Sequence, residues 1–421
     1  MRRELAREGW FFLRDRQAMA TVIAAALLAT LAVGLGLKDI ALQNEEIASL
    51  RTSTLADLKN TLSDQPDPGS AAYYGFRLVY DPPGELAFAA RGVRDQLPWK
   101  HRLRILALEG QIYENDTGNP ELGQIGRIDF AFLISVLAPL FVILMLHDVV
   151  DSERRQNRLD LLAATAADAG RLVRWRAVVR TVALAVALLL PFVVAAFWSG
   201  ANPIDVLSLS ALGFLYLAGW AAVVTWTAGR LGSAATSAAV LLGLWTTLVL
   251  VVPLTAGAIA ERSIAVPQGG EILLQQRETV NRAWDLPEEV TMEAFVATHP
   301  EWADYTATGD GFDWKWYYAF QQVGDQSVAE MSAALRDGVR KRDEFMQKVS
   351  YLSPPLLVDR VFARVAGTDI AAFQRYDACV RDFHADLRKA HYPMLFGAEA
   401  FDLAALLALE NTRECRQATP L

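Results

Sequence analysis

The sequence predicts a mainly α-helical, polytopic membrane protein with five transmembrane helices and two extracytoplasmic, mostly helical insertions. Three observations carry that prediction. Hydrophobic residues make up 53% of the 421 residues, and mean hydropathy is positive. Five runs contain no Asp, Glu, Lys or Arg: 18–37, 130–146, 181–198, 206–229 and 231–260. Each is close to the roughly 20 residues that a bilayer requires, and five such runs in one chain are too many for buried soluble helices. Finally, Lys and Arg are concentrated in alternate connections, as expected of short segments that resist translocation.

Each element follows in order. Residues 1–17 carry Arg2, Arg3, Arg7, Arg14 and Arg16 around Trp10, Phe11, Phe12 and Leu13, a pattern shared by an interfacial helix and a plain positive flank. Transmembrane helix 1 spans 18–37. It is read as an uncleaved anchor, because its apolar run exceeds a signal peptide's and no small-residue cleavage site precedes Lys38. The first extracytoplasmic domain is 38–127, where Ile40, Ile47, Leu50, Leu55, Leu58 and Leu62 recur at helical spacing. The segment around Tyr73 to Gly92 could supply short strands, interrupted by Pro82 and Pro83. Helix 2 spans 128–147, and 148–178 is a cytoplasmic segment. Helices 3, 4 and 5 span 179–199, 205–229 and 231–260, with Arg230 in the turn between the last two. The second extracytoplasmic domain is 261–421. There, Phe320, Val323, Val328, Met331, Leu335, Val339, Met346 and Val349 trace one face of a long helix ending before Leu352-Ser-Pro-Pro355. Thr368 or Asp369 caps the next helix. The N-terminus is cytoplasmic and the large C-terminal domain lies outside.

Chemistry is sparse by comparison. The phosphate loop, the paired-histidine zinc motif, the serine nucleophile elbow and Cys-x-x-Cys are all absent. His384 and His391, near Asp382 and Asp386, could hold a metal, but a solvated helix face is the preferred reading, so no metal or cofactor is assigned to this chain. Cys379 and Cys415 both fall in the exported tail, where they form either a disulfide or two unpaired thiols. The net charge of -8 gives no reason to expect nucleic acid.

The segment 151–180 holds seven arginines between two apolar runs, with Leu-Asp-Leu-Leu-Ala-Ala at 159–164. It is too polar for the bilayer and apolar enough to seat on a soluble partner. It resembles the coupling region of ABC-2 type exporter permeases, with Glu153, Arg154, Leu159, Leu161 and Leu162 at the matching places and Arg155 and Arg158 beside them; Asn157 and Arg158 replace the usual Gly-Thr. The resemblance continues through Gly126, Asp129, Pro139 and Leu140 around helix 2. It extends through Ser-Pro-Pro, Gly-Thr-Asp and Phe-His in residues 352–388 to a subgroup carrying a large exported domain of unknown function.

That resemblance implies a permease of the bacterial cytoplasmic (inner) membrane that is not itself catalytic. Its expected partners are phosphate-loop ATPase subunits holding ATP and Mg, a second permease copy or paralogue, and membrane lipid. One departure is plain: such permeases return through a sixth span, and no apolar run of that length follows Ala260. A non-transporting assembly or scaffold protein, binding partners through its exported domain, is the alternative expectation.

Overall fold

The computed structural model describes residues 2–114, 129–151, 169–231, 233–309 and 311–415. It opens with α1 (Arg2–Arg14), α2 (Arg16–Ser63) and α3 (Pro68–Tyr74), then strands β1 (Arg77–Tyr80) and β2 (Lys100–Leu103) and helix α4 (Leu108–Glu114). The apolar helix α5 (Phe130–Leu146) follows, then α6 (Ala169–Trp198), α7 (Pro203–Arg230) and α8 (Ala234–Ser263). The remainder is α9 (Gly269–Ala283), α10 (Glu288–Val296), α11 (Trp314–Ser327), α12 (Ala329–Ser350), α13 (Pro354–Ala366), α14 (Ile370–Leu395), α15 (Leu403–Ala408) and strand β3 (Thr412–Glu414). Among the described residues, α2, α6, α7 and α8 are long and apolar enough to cross a membrane, and α5 is a shorter apolar helix.

Local chemistry sets the helix ends. Asp15 accepts from the N–H groups of Gln17 and Ala18, Asn202 from Ile204 ahead of α7, and Ser233 from Thr236 ahead of α8. Each supplies an acceptor to N–H groups that a helix start leaves unpaired. Both α5 and α8 contain a π-turn, at Leu133–Leu137 and Thr247–Val251, just before Pro139 and Pro253. A proline inside a helix removes one N–H and pushes away the carbonyl one turn back, so carbonyls are freed at these places. Neighbouring side chains answer them. Tyr216 Oη donates to Ser135 O at 2.6 Å, Trp245 Nε1 to Val136 O at 2.8 Å, and Ser353 Oγ to Leu248 O at 2.7 Å.

The helix α2 continues from the bundle into a large helical body, where Asp39 and Glu46 pair with Arg91 and Lys100. That body draws on both sides of the bundle sequence. β1 pairs antiparallel with β2 and parallel with β3, in the order β2-β1-β3, and one core joins Val79, Leu103 and Ile105 to Phe295, Tyr318 and Phe383. The described parts of the 38–127 and 261–421 regions therefore share a fold. The fully buried Arg77 locks the strands in place: its guanidinium donates to Asn411 Oδ1 at 2.7 Å, Glu410 O and Leu406 O.

Two segments of this body enter the bundle core, the loop 86–90 and α13. Gly36 admits the loop, since a Cβ there would lie 2.1 Å from Phe88 O. Phe88, Phe130, Phe192 and Phe362 form one aromatic cluster, with Phe130 and Phe192 stacked at 4.9 Å. The long helix expected across Phe320 to Val349 is corrected to two, α11 and α12, because the chain leaves helical geometry at Val328 (φ -116°, ψ 4°). Val328 is buried at that bend, so core packing overrides helical periodicity.

Candidate functional site

One end of the bundle is built from basic side chains and their partners. Glu8 of α1, itself buried, pairs with Arg176 of α6 at 3.2 Å, and Asp15 at the start of α2 pairs with Arg180 at 2.6 Å. Arg180 also donates to Met145 O near the end of α5, and Asp151 Oδ2 accepts from the Ala234 N–H that opens α8. Five helices are thus cross-linked at the two points where the chain leaves and re-enters the described structure around 152–168. Glu153, Arg154, Arg155, Arg158, Leu159, Leu161 and Leu162, the candidate coupling residues, lie outside the described residues, as does Gly126. Between α6 and α7 at this end runs an apolar groove of about 730 Å³, with Arg174 and Arg176 among its lining residues.

At the opposite end, where α13 crosses α5, lies a polar cleft of about 290 Å³ that includes Asp129, Phe132, Asp343, Asp359, Arg360 and Arg364. Sequence reasoning noted Asp129 and the stretch containing Asp359 but could not bring them together. Asp129 caps α5 by accepting from Phe132 N at 2.8 Å and also accepts from Arg91 N at 2.9 Å. Arg360 reaches across the hairpin to Asp343 at 2.8 Å. Burial, and then the Asp129 carboxylate, push the Asp359 carboxyl up to about 6.

An acid whose folded-state pKa exceeds its unfolded value contributes stability while protonated and loses that contribution as pH rises through the folded value. The window for Asp359 runs from about 4 to about 6. Asp359→Asn, which keeps the neutral shape, is expected to match the parent protein's thermal stability near the bottom of that window and to exceed it above the top. A stability difference that stays constant across the window would remove Asp359 as its source.

The two histidines considered as ligands require a correction. His384 and His391 are buried, not on a solvated face, because α14 is covered by the strand layer and its connections. His384 Nε2 sits on Leu106 O at 2.9 Å and His391 Nδ1 on Leu387 O at 2.8 Å. Burial lowers both pKa values, His391 to about 4, so both rings are neutral at pH 7. Asp382 and Asp386 are exposed. Among the described residues, no three of His, Cys, Asp and Glu converge as metal ligands. Cys379 and Cys415 are joined in a disulfide, with Cα atoms 6.0 Å apart.

A family model described as "Domain of unknown function (DUF3526)" matches residues 270–410. That range runs from α9 through α15 and includes α13 and most of the cleft. No curated protein matches the chain, and no solved structure does.

Proposed function

We propose that this chain is the permease subunit of an ATP-driven exporter of the ABC-2 type, working with separate ATPase subunits that bind ATP and Mg. The observation that carries the reading is the cross-linked basic end. The elements flanking 152–168 are tied to α1, α2 and α8 by Glu8–Arg176, Asp15–Arg180 and the Asp151–Ala234 hydrogen bond. Movement of a docked 152–168 segment would therefore be passed to several helices together, which is what coupling to an ATPase requires.

In this reading α5 is the second of five spans, the basic end faces the cytoplasm, and the large body faces outward. The membrane is the bacterial cytoplasmic one. A second permease copy or paralogue belongs to the same reading. The substrate stays unassigned.

The test is gentle purification of the tagged chain with mass spectrometry of whatever accompanies it, repeated for the Glu153→Ala, Leu161→Asp double variant. A stoichiometric phosphate-loop ATPase, reduced at least tenfold in the variant, is the expected result; a tenfold loss corresponds to about 1.4 kcal/mol of binding. Recovery of exported-domain partners and no ATPase from intact complexes would replace the permease with a non-transporting assembly protein. An ATPase retained by the variant would move the coupling site elsewhere.

A further inference from the structure

The α12–α13 hairpin turns inside the apolar part of the bundle. Its Ser353 hydroxyl donates to Leu248 O of α8, which lies inside the charge-free run 231–260, twelve residues before the end of that run, about 18 Å of helix rise. Farther along α13, Phe362 packs on Phe192, six residues or about 9 Å before Trp198 ends α6. The hairpin thus passes below the level where the spans end on the side of the large body.

The turn's N–H donors are paired within the chain. Leu352 N donates to Val349 O, Ser353 N to Ser350 O and Leu357 N to Ser353 O, and Leu356 N approaches Ser353 Oγ at 3.4 Å. Pro354 and Pro355 have no N–H to satisfy. Ser350 and Ser353 are wholly buried. The two side chains at the tip behave oppositely: Tyr351 is 68% exposed and Leu352 73%. Leu250, Val251 and Leu254 of α8, close in sequence to Leu248, are likewise apolar and exposed.

We infer that the tip of this hairpin, Tyr351 and Leu352, is inserted in the bilayer leaflet nearer the large body, with lipid acyl chains as its occupant. Backbone can sit at that depth where its N–H donors are paired within the chain. The inference rests on α8 crossing the membrane, and it holds whether or not the chain is a permease.

Three thiols of nearly equal exposure test it in the full-length chain, whose two native cysteines are joined to each other. Leu352→Cys, Leu254→Cys on α8 and Leu274→Cys on α9, the last two each 70% exposed, are labelled with an environment-sensitive fluorophore. Each labelled protein is reconstituted in phosphatidylcholine vesicles. Brominated acyl chains are expected to quench the label at 352 to an extent comparable with 254, with little effect at 274, and iodide to quench 274 alone. Iodide quenching at 352 equal to that at 274 would place the tip in water and overturn the inference. A label at 352 reached by neither quencher would mean that a protein surface, such as a second copy, covers the tip, which also overturns it. Loss of acyl-chain quenching at 254 as well would remove α8 from lipid and the inference with it.

Discussion

Cys379→Ser is expected to destabilise the large body by roughly 4 kcal/mol, the loop-entropy value for a link of this length. Cys379 and Cys415 are separated by 36 residues, and the link holds the C-terminal strand on the sheet. Beyond the disulfide, β3 is held by its parallel pairing to β1, by Cys415 N donating to Tyr80 O at 2.8 Å, by Arg77, and by Arg413, which pairs with Asp386 of α14 at 2.9 Å and lies over the Phe383 ring. Without the link, a strand of three residues must recover its ordering entropy from those few bonds. Unfolding followed by tryptophan fluorescence, with and without reductant, checks the expectation. Reduction should bring the parent protein down to the variant's midpoint and leave the variant unchanged. Equal midpoints for parent and variant under oxidising conditions would show that the disulfide contributes nothing.

Phe362→Ala is expected to cost about 3–5 kcal/mol, the usual range for emptying a buried aromatic site. The ring is fully buried and edge-on to Phe130 and Phe192, each 5.9 Å away. Its removal leaves a void that the stacked Phe130 and Phe192 cannot both collapse to fill, and it detaches α13 from α5 and α6. Phe362→Leu should restore most of the loss by refilling volume. Leu274→Ala, at an exposed position, should stay within about 0.5 kcal/mol of the parent. Thermal unfolding in detergent gives the ranking, and limited proteolysis between 350 and 368 reports whether the hairpin loosens first. A Phe362→Ala protein as stable as Leu274→Ala would mean that α13 is held by its polar contacts, Ser353 on Leu248 and Thr368 on Ala90 O at 2.8 Å.

How far the sequence reaches differs from place to place. Four of the five charge-free runs are legible as helices of spanning length because apolarity over 18 or more residues is a local property. Capping is local too, which is why Asp369 could be named beforehand as one of two candidates and is found accepting from Ala372 N at 2.9 Å. The break at Val328 was not legible, because helical periodicity continues straight across it and only the packing on either side differs. The histidines of α14 were misplaced for a related reason: spacing says which residues share a face, and not whether another layer covers it. The cleft around Asp359 stayed hidden because Asp129 and Asp359 are 230 positions apart and meet only when α13 crosses α5.

By itself the sequence determined the helical, membrane-class character of the chain, its apolar spans, its basic connections and the chemistry of its helix caps, since each is decided within one or two turns of the residues concerned. Tertiary structure alone decided that residues from both sides of the bundle sequence make one body, that Cys379 meets Cys415, and that α13 enters the apolar bundle. These outcomes depend on contacts between residues far apart in the chain, whose loop-closure entropy is recovered only when the whole core packs.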